Sequence, residues 1–201
     1  MRYMHTDEMN QEDKKIHAIT FAGRLGAGKT STADAVAAGL GYDRFSAGRF
    51  FRDEAAERGI TFQELHEIMD SDDQVDLTID ERQKEFLNST EHYVIDSRLG
   101  HIFAPHAFNV FLEIDEEIAA QRIFDDLQKN PDRKTEMVKS VEEMLEHNRK
   151  RFASEQLRYK ELYDIDDHMN PDAFNFIIRT DEYNLEEVTR QIIDAYEAWK
   201  A

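Results

Sequence analysis

The chain has 201 residues, 40% of them hydrophobic, enough for one well-buried core and too few for two ordinary domains, so a single α/β domain is expected. Its 43 acidic and 25 basic residues give a net charge of −18, which argues against a general nucleic-acid-binding surface because that needs a basic face. Cysteine is absent, excluding disulfides and thiolate metal sites, and no run approaches the ~18 apolar residues of a membrane span, so a soluble, cytoplasmic protein without membrane or nucleic-acid-polymer partners is expected.

Residues 1–15 are polar and mixed in charge and read as an N-terminal extension, with the domain occupying 16–201. The apolar run Ile16-His17-Ala18-Ile19-Thr20-Phe21-Ala22 predicts a strand over 16–22. Directly after it, Gly23-Arg24-Leu25-Gly26-Ala27-Gly28-Lys29-Thr30 fits the phosphate-cradling pattern G-x-x-x-x-G-K-[ST] at every fixed position, and a helix over about 30–39 follows. Each position has a chemical reason. Glycines let successive N–H groups turn inward around a polyphosphate, the helix points its positive end at the same anion, Lys29 reaches the β- and γ-phosphates, and Thr30 places a hydroxyl on Mg²⁺. Gly23, Gly26, Ala27, Gly28, Lys29, Thr30 and Ser31 are therefore the expected polyphosphate-binding set.

Farther along, a short strand is expected at Asp43 to Ser46, a helix at 48–58, and helices near 61–69 and 73–88. His92-Tyr93-Val94-Ile95-Asp96 reads as a strand ending in a carboxylate. In a parallel sheet that end opens beside the phosphate loop, so Asp96 is the expected second metal-organising group, although an aspartate there also simply starts turns. A strand over 107–114, a helix over 116–128, a polar break at Lys129 to Arg133, helix to about Tyr163, a strand over 173–179 and a helix over 185–200 complete the reading. Strands alternating with helices imply a parallel sheet of about five strands covered on both faces. Five of the eight glycines lie between Gly23 and Gly41 and none follows Gly100, which puts the tight backbone work in the N-terminal half. His101 and His106 read as loop or packing residues rather than zinc ligands.

Arginines form the second constellation: Arg49 and Arg52 after a Ser-Ala-Gly turn, Arg98 after Asp96, Arg122 after a strand, and Arg149, Arg151 and Arg158 in the late helix. Planar guanidinium groups suit the neutralisation of two anionic substrates and of the charge spread over a transferring phosphoryl group.

These residues resemble the nucleoside monophosphate kinases, and within them the cytidylate kinases of the shorter, archaeal-like type. The resemblance runs from Ile16 to about Ala195. It rests on the phosphate loop; on Ser46-Ala47-Gly48-Arg49-Phe50-Phe51-Arg52; on Ile79-Asp80-Glu81-Arg82-Gln83; on Asp96-Ser97-Arg98-Leu99; on the S-E-x-x-R-Y-K-like stretch from Ser154 to Asp166; and on the strand before Thr180. Ser97 stands where the family usually has glycine. The resemblance implies a P-loop kinase fold with a helical acceptor-binding insertion at about 47–90 and a small lid at about 129–140. It also implies ATP and Mg²⁺ as cofactors, a nucleoside monophosphate as the partner substrate, and an expected monomer. Carried over by position, Arg52 and Arg98 would hold the acceptor phosphate, with Ser46 and Gly48 forming the turn that admits it. Arg151 and Arg158 would stabilise the transferring group, and Arg122 would lie near the donor adenine. Asp76, Asp80 and Gln83, spaced i, i+4 and i+7, fall on one helix face where they could read the amine edge of cytosine, or simply form a solvated acidic face.

A kinase of another nucleoside monophosphate or small hydroxylated metabolite would share the loop and the arginines, and a regulatory ATP-binding module would share the loop alone. A GTPase-type switch would need an N-K-x-D motif, which the chain lacks.

Overall fold

The structure is a computed structural model that describes residues 17–61, 64, 65, 68, 73–129 and 138–201. The expected extension at 1–15, most of the helix near 61–69, and the lid apart from 129 and 138–140 lie outside the described residues.

Strand β1 (Ala18–Gly23) is buried along its whole length, which is why its sequence is almost continuously apolar rather than alternating. It leads through the phosphate loop into α1 (Lys29–Leu40), then β2 (Asp43–Ser46), α2 (Ala47–Arg58) and α3 (Asp73–Ser89). The chain continues through β3 (Tyr93–Asp96), the short α4 (Gly100–Phe103), β4 (Phe108–Glu113), α5 (Glu116–Lys129), α6 (Val141–Tyr163), a 3₁₀ turn at Pro171–Ala173, β5 (Phe176–Arg179) and α7 (Leu185–Lys200). The five strands form one sheet in the order β2-β3-β1-β4-β5, every pair parallel, with Ile19 opposite Val94 and Thr20 opposite Asn109. All five carboxyl ends therefore open on one edge, where Gly23, Ser46 and Asp96 end neighbouring strands.

Side chains alternate between the two faces. Ile19, Phe21, Val94, Phe108, Val110 and Leu112 pack with Val36 of α1 and Val188, Ile192 and Tyr196 of α7. Those three α7 residues recur every fourth position, the spacing of one helix face, and Asn184 and Glu187 close a reciprocal capping box at its start. On the other face, Ala18, Tyr93 and Ile95 meet Leu87 of α3, Phe103 of α4, and Tyr159 and Tyr163 of α6. A separate cluster of Ala55, Leu65, Val75 and Ile79, with Phe50 and Phe51 against it, gives the α2–α3 region its own small core.

Among the described residues the expected strands and helices hold with small shifts. The strand expected over 173–179 begins at Phe176, because Pro171 starts a 3₁₀ turn whose N-cap Asn170 accepts from the Asp172 amide. The unforeseen α4 carries His101, which is buried and lies 4.4 Å ring to ring from Phe174; burial, with His168 nearby, pushes its pKa down to about 4 and keeps it neutral, a packing residue as expected. Among the described residues no helix is long and apolar enough to cross a membrane.

Candidate active site

The loop between β1 and α1 has a backbone that only glycine fits at two points. Gly23 has φ +144° and a Cβ there would sit 2.4 Å from the Leu112 carbonyl oxygen; at Gly26, φ +78°, it would sit 2.7 Å from the carbonyl oxygen of Ala119. The loop is thereby pressed onto β4 and α5. Gly28 caps α1 without a side chain, so the first-turn amides of α1 have no side-chain acceptor and face the loop's concavity as an anion site. Lys29 folds back over the loop, its Nζ donating to the carbonyls of Gly23 and Arg24 at 2.7 Å each. Burial, then the positive charge of Arg98, lowers its pKa to about 7.

At the end of β3, Asp96 meets the same loop. Thr30 donates its hydroxyl to Asp96 Oδ2 at 3.0 Å. The other carboxylate oxygen is 3.1 Å from Arg44 Nη2 and has no hydrogen-bond partner among the described residues, and Arg44 also binds Asp34 at 2.7 Å. A hydroxyl beside a carboxylate is the small, hard-oxygen donor set that suits a Mg²⁺ ion completing its shell from phosphates and water. Among the described residues, no three His, Cys, Asp or Glu side chains converge to hold a metal by themselves.

Two cavities flank this centre. One runs along the loop between Gly23, Arg24, Phe152 and Glu155. A second lies over α3 and is lined by Asp76, Asp80, Gln83, Ser97 and Arg158. Arg98 lines both, so its guanidinium stands where two anions could meet. Arg98 and Glu155 both line the first cavity, and Arg98 shares the Glu155 carboxylate with Arg151, at 3.1 and 3.0 Å.

The second cavity has polar walls inside an apolar frame. Asp76 is 1% exposed and forms an ion pair with Arg158, whose buried Nε has no partner among the described residues. One turn on, Asp80 accepts from the Tyr163 hydroxyl; burial pushes its carboxyl up to about 6, opposed by that hydrogen bond and reinforced by Asp76. Buried Ser97 donates to Oε1 of buried Gln83 at 2.9 Å. Asp76, Asp80 and Gln83 thus do share one face, and it faces a cavity rather than solvent.

The remaining expected residues are placed as follows. Ser46 caps α2 opposite Asp96, and a Cβ at Gly48 would lie 3.4 Å from Arg52 Nη1; Arg52 is exposed and lines neither cavity. Arg122 also lines neither, donating instead to the Thr180 carbonyl at 2.7 Å and so tying α5 to the end of β5. Ser31 is exposed in the first turn of α1. Arg158 lines the second cavity together with Arg98, while Lys29 and Arg151 do not line it. No role is expected from the sequence for Arg44, Glu155 or Tyr163, although Glu155 and Tyr163 both lie in the S-E-x-x-R-Y-K-like stretch from Ser154 to Asp166, which is where a signal for them was available.

Residues 19–151 match the AAA domain family. A cytidylate kinase of Natronomonas pharaonis is 37% identical over 150 residues, 74% of this chain and 73% of that protein. A cytidylate kinase of Methanosphaera stadtmanae is 32% identical over 174 residues, 87% of this chain and 94% of that protein. Among solved structures, a shikimate kinase from Bacteroides thetaiotaomicron superposes with a TM-score of 0.61 at 15% identity, over 90% of this chain and 99% of its own, a likeness of fold.

Proposed function

We propose that this chain, which belongs to the nucleoside monophosphate kinase family alongside the archaeal cytidylate kinases, transfers the γ-phosphoryl group of ATP to the phosphate of CMP or dCMP, giving ADP and CDP or dCDP. The observation that carries the reading is the ion pair of buried Asp76 with Arg158 in the wall of the second cavity, with Arg98 joining that cavity to the phosphate loop.

The acceptor phosphate is already an oxyanion, so no side chain has to remove a proton and the work is positioning and charge neutralisation. The loop amides and Lys29 take the donor phosphates. The Mg²⁺ that accompanies ATP, for which Thr30 and Asp96 are the fitting donors, would neutralise charge on those phosphates. Arg98, shared by both cavities, takes the acceptor phosphate on one side and the transferring group on the other, and Arg151 adds to the latter. Arg52 is assigned to the acceptor phosphate from the Gly48 turn, and Arg122 to the donor adenine.

Base choice follows from hydrogen-bond sense. Cytosine offers an amine donor beside a ring-nitrogen acceptor and a carbonyl; uracil presents a carbonyl beside N–H. An acceptor carboxylate next to a guanidinium donor matches the first pattern and leaves buried groups unpaired against the second. The unpartnered Nε of Arg158 marks a donor that a base carbonyl or ring nitrogen would satisfy. A hydrogen-bond-reading site discriminates strongly, whereas a pocket choosing by size alone gives modest ratios. Steady-state kinetics with ATP should therefore give a kcat/KM for CMP at least ~100-fold above UMP and AMP, and Asp76→Asn should erode that ratio while leaving the KM for ATP in place. Equal kcat/KM for CMP, UMP and AMP would refute the cytosine assignment.

A further inference from the structure

Three cations, Lys29, Arg98 and Arg151, come together beside the phosphate loop with their charges acting on one another. Left alone they would repel and splay into solvent. Glu155 opposes this: one of its oxygens lies 3.1 Å from Arg98 Nη2 and 3.0 Å from Arg151 Nε, and its negative charge also favours the protonated form of Lys29. The Arg151–Glu155 pair is an ordinary i,i+4 contact along α6. Arg98 is different, because it comes from the turn after β3 and has no helical reason to reach that carboxylate. Glu155 is also the most enclosed of the three, 17% exposed against 28% for Arg98 and 47% for Arg151. A carboxylate gripping guanidinium groups in a crevice lined by the phosphate loop presents the same charge and acceptor geometry as the oxygens of a phosphate.

We propose that Glu155 is a positioning residue for phosphoryl transfer, its carboxylate holding Arg98 and Arg151 together beside the phosphate loop until substrate phosphates take its place on them. This rests on the kinase reading above. Two consequences follow. Glu155 competes with anions for the arginines, so removing its charge strengthens anion binding; and it spaces the arginines, so removing its charge also slows transfer.

The test compares wild type, Glu155→Gln and Glu155→Asp. Sulfate, titrated at low ionic strength into nucleotide-free protein by NMR or calorimetry, should bind Glu155→Gln roughly 3–10-fold more tightly than wild type. In steady state the same variant should show a lower acceptor KM and a kcat reduced at least ~10-fold, with Glu155→Asp, which keeps the charge, recovering most of kcat. Glu155→Ala substitutes, with the same expectation, if the glutamine variant does not fold. Sulfate affinity that is unchanged or weaker in the neutral variant overturns the proposal whatever happens to kcat, as does equal loss of activity in the glutamine and aspartate variants. Should wild type phosphorylate no nucleoside monophosphate, the kinase reading fails while the sulfate titration still decides Glu155.

Discussion

Asp80→Asn should make this protein more stable at alkaline pH, and by an amount that vanishes in acid. The Asp80 carboxyl is raised from 3.8 to about 6, chiefly by burial. Because its folded-state pKa lies above the unfolded one, the folded protein binds the extra proton. The associated stability is fully present below about pH 4 and is lost as the pH rises through about 6. Each pKa unit corresponds to ~1.4 kcal/mol, so ionised Asp80 costs the folded state ~3 kcal/mol at pH 8, reduced to ~1–3 kcal/mol by the solvent that reaches this partly exposed side chain. Asparagine keeps the shape, can still accept from the Tyr163 hydroxyl, and carries no charge to desolvate. Urea unfolding of both proteins at pH 8 and pH 4 measures the difference: Asp80→Asn should lead by ~1–3 kcal/mol at pH 8 and by close to nothing at pH 4. A gap of the same size at both pH values, or none at pH 8, would refute the reasoning. The stability gained should be matched by a loss of base discrimination, because a destabilising buried carboxylate is retained for what it binds.

Lys29 should be largely neutral in the empty site at pH 8 and protonated once polyphosphate reaches it, since its pKa is lowered to about 7 and an adjacent anion restores it. ATP binding at pH 8 should take up close to one proton and at pH 6 almost none, read as buffer-dependent calorimetric enthalpy; no buffer dependence at pH 8 contradicts this. Lys29→Ala should lower turnover at least ~100-fold, and near-normal transfer would sink the phosphate-loop assignment. Arg98→Ala should both raise the acceptor KM and lower kcat, Arg151→Ala should lower kcat predominantly, and Arg158→Ala should raise the acceptor KM with loss of base preference; changes confined to the ATP KM in all three variants would overturn these roles. Ser97→Gly leaves the buried Gln83 carbonyl without its 2.9 Å donor, and should cost ~1 kcal/mol by thermal unfolding and raise the CMP KM with kcat unchanged; an unaltered KM would remove the pair from base recognition.

What the sequence disclosed depended on how local the cause was. The phosphate loop is a run of consecutive residues whose conformation is dictated by its own glycines and by the strand and helix at either end, so its place and shape were legible directly. Asp76, Asp80 and Gln83 share a helix, so their spacing placed them on one face; that the face meets a cavity depends on α6 lying across it, which no local pattern states. Partners from distant segments were invisible for the same reason. Arg44 sits in a four-residue strand whose register against β3, Arg44 opposite Val94, decides that its side chain can reach Asp96. Tyr163 lies in the Ser154 to Asp166 stretch, and that its hydroxyl donates to Asp80 depends on α6 packing on α3. The resemblance pairs Arg158 with Arg151 on the transferring group; in the structure Arg158 lies about two turns along α6 from Arg151 and forms its ion pair with Asp76 of α3, a partner that no local pattern states.

The most direct test is a competition. ATP, Mg²⁺ and equal concentrations of CMP, UMP, AMP and GMP are incubated with the enzyme, and products are followed by ³¹P NMR and chromatography. CDP should appear first and alone while CMP lasts, with one ADP formed per CDP. Release of inorganic phosphate without any nucleoside diphosphate, or consumption of AMP or UMP as fast as CMP, would contradict a site built to read cytosine and to pass a phosphoryl group to it.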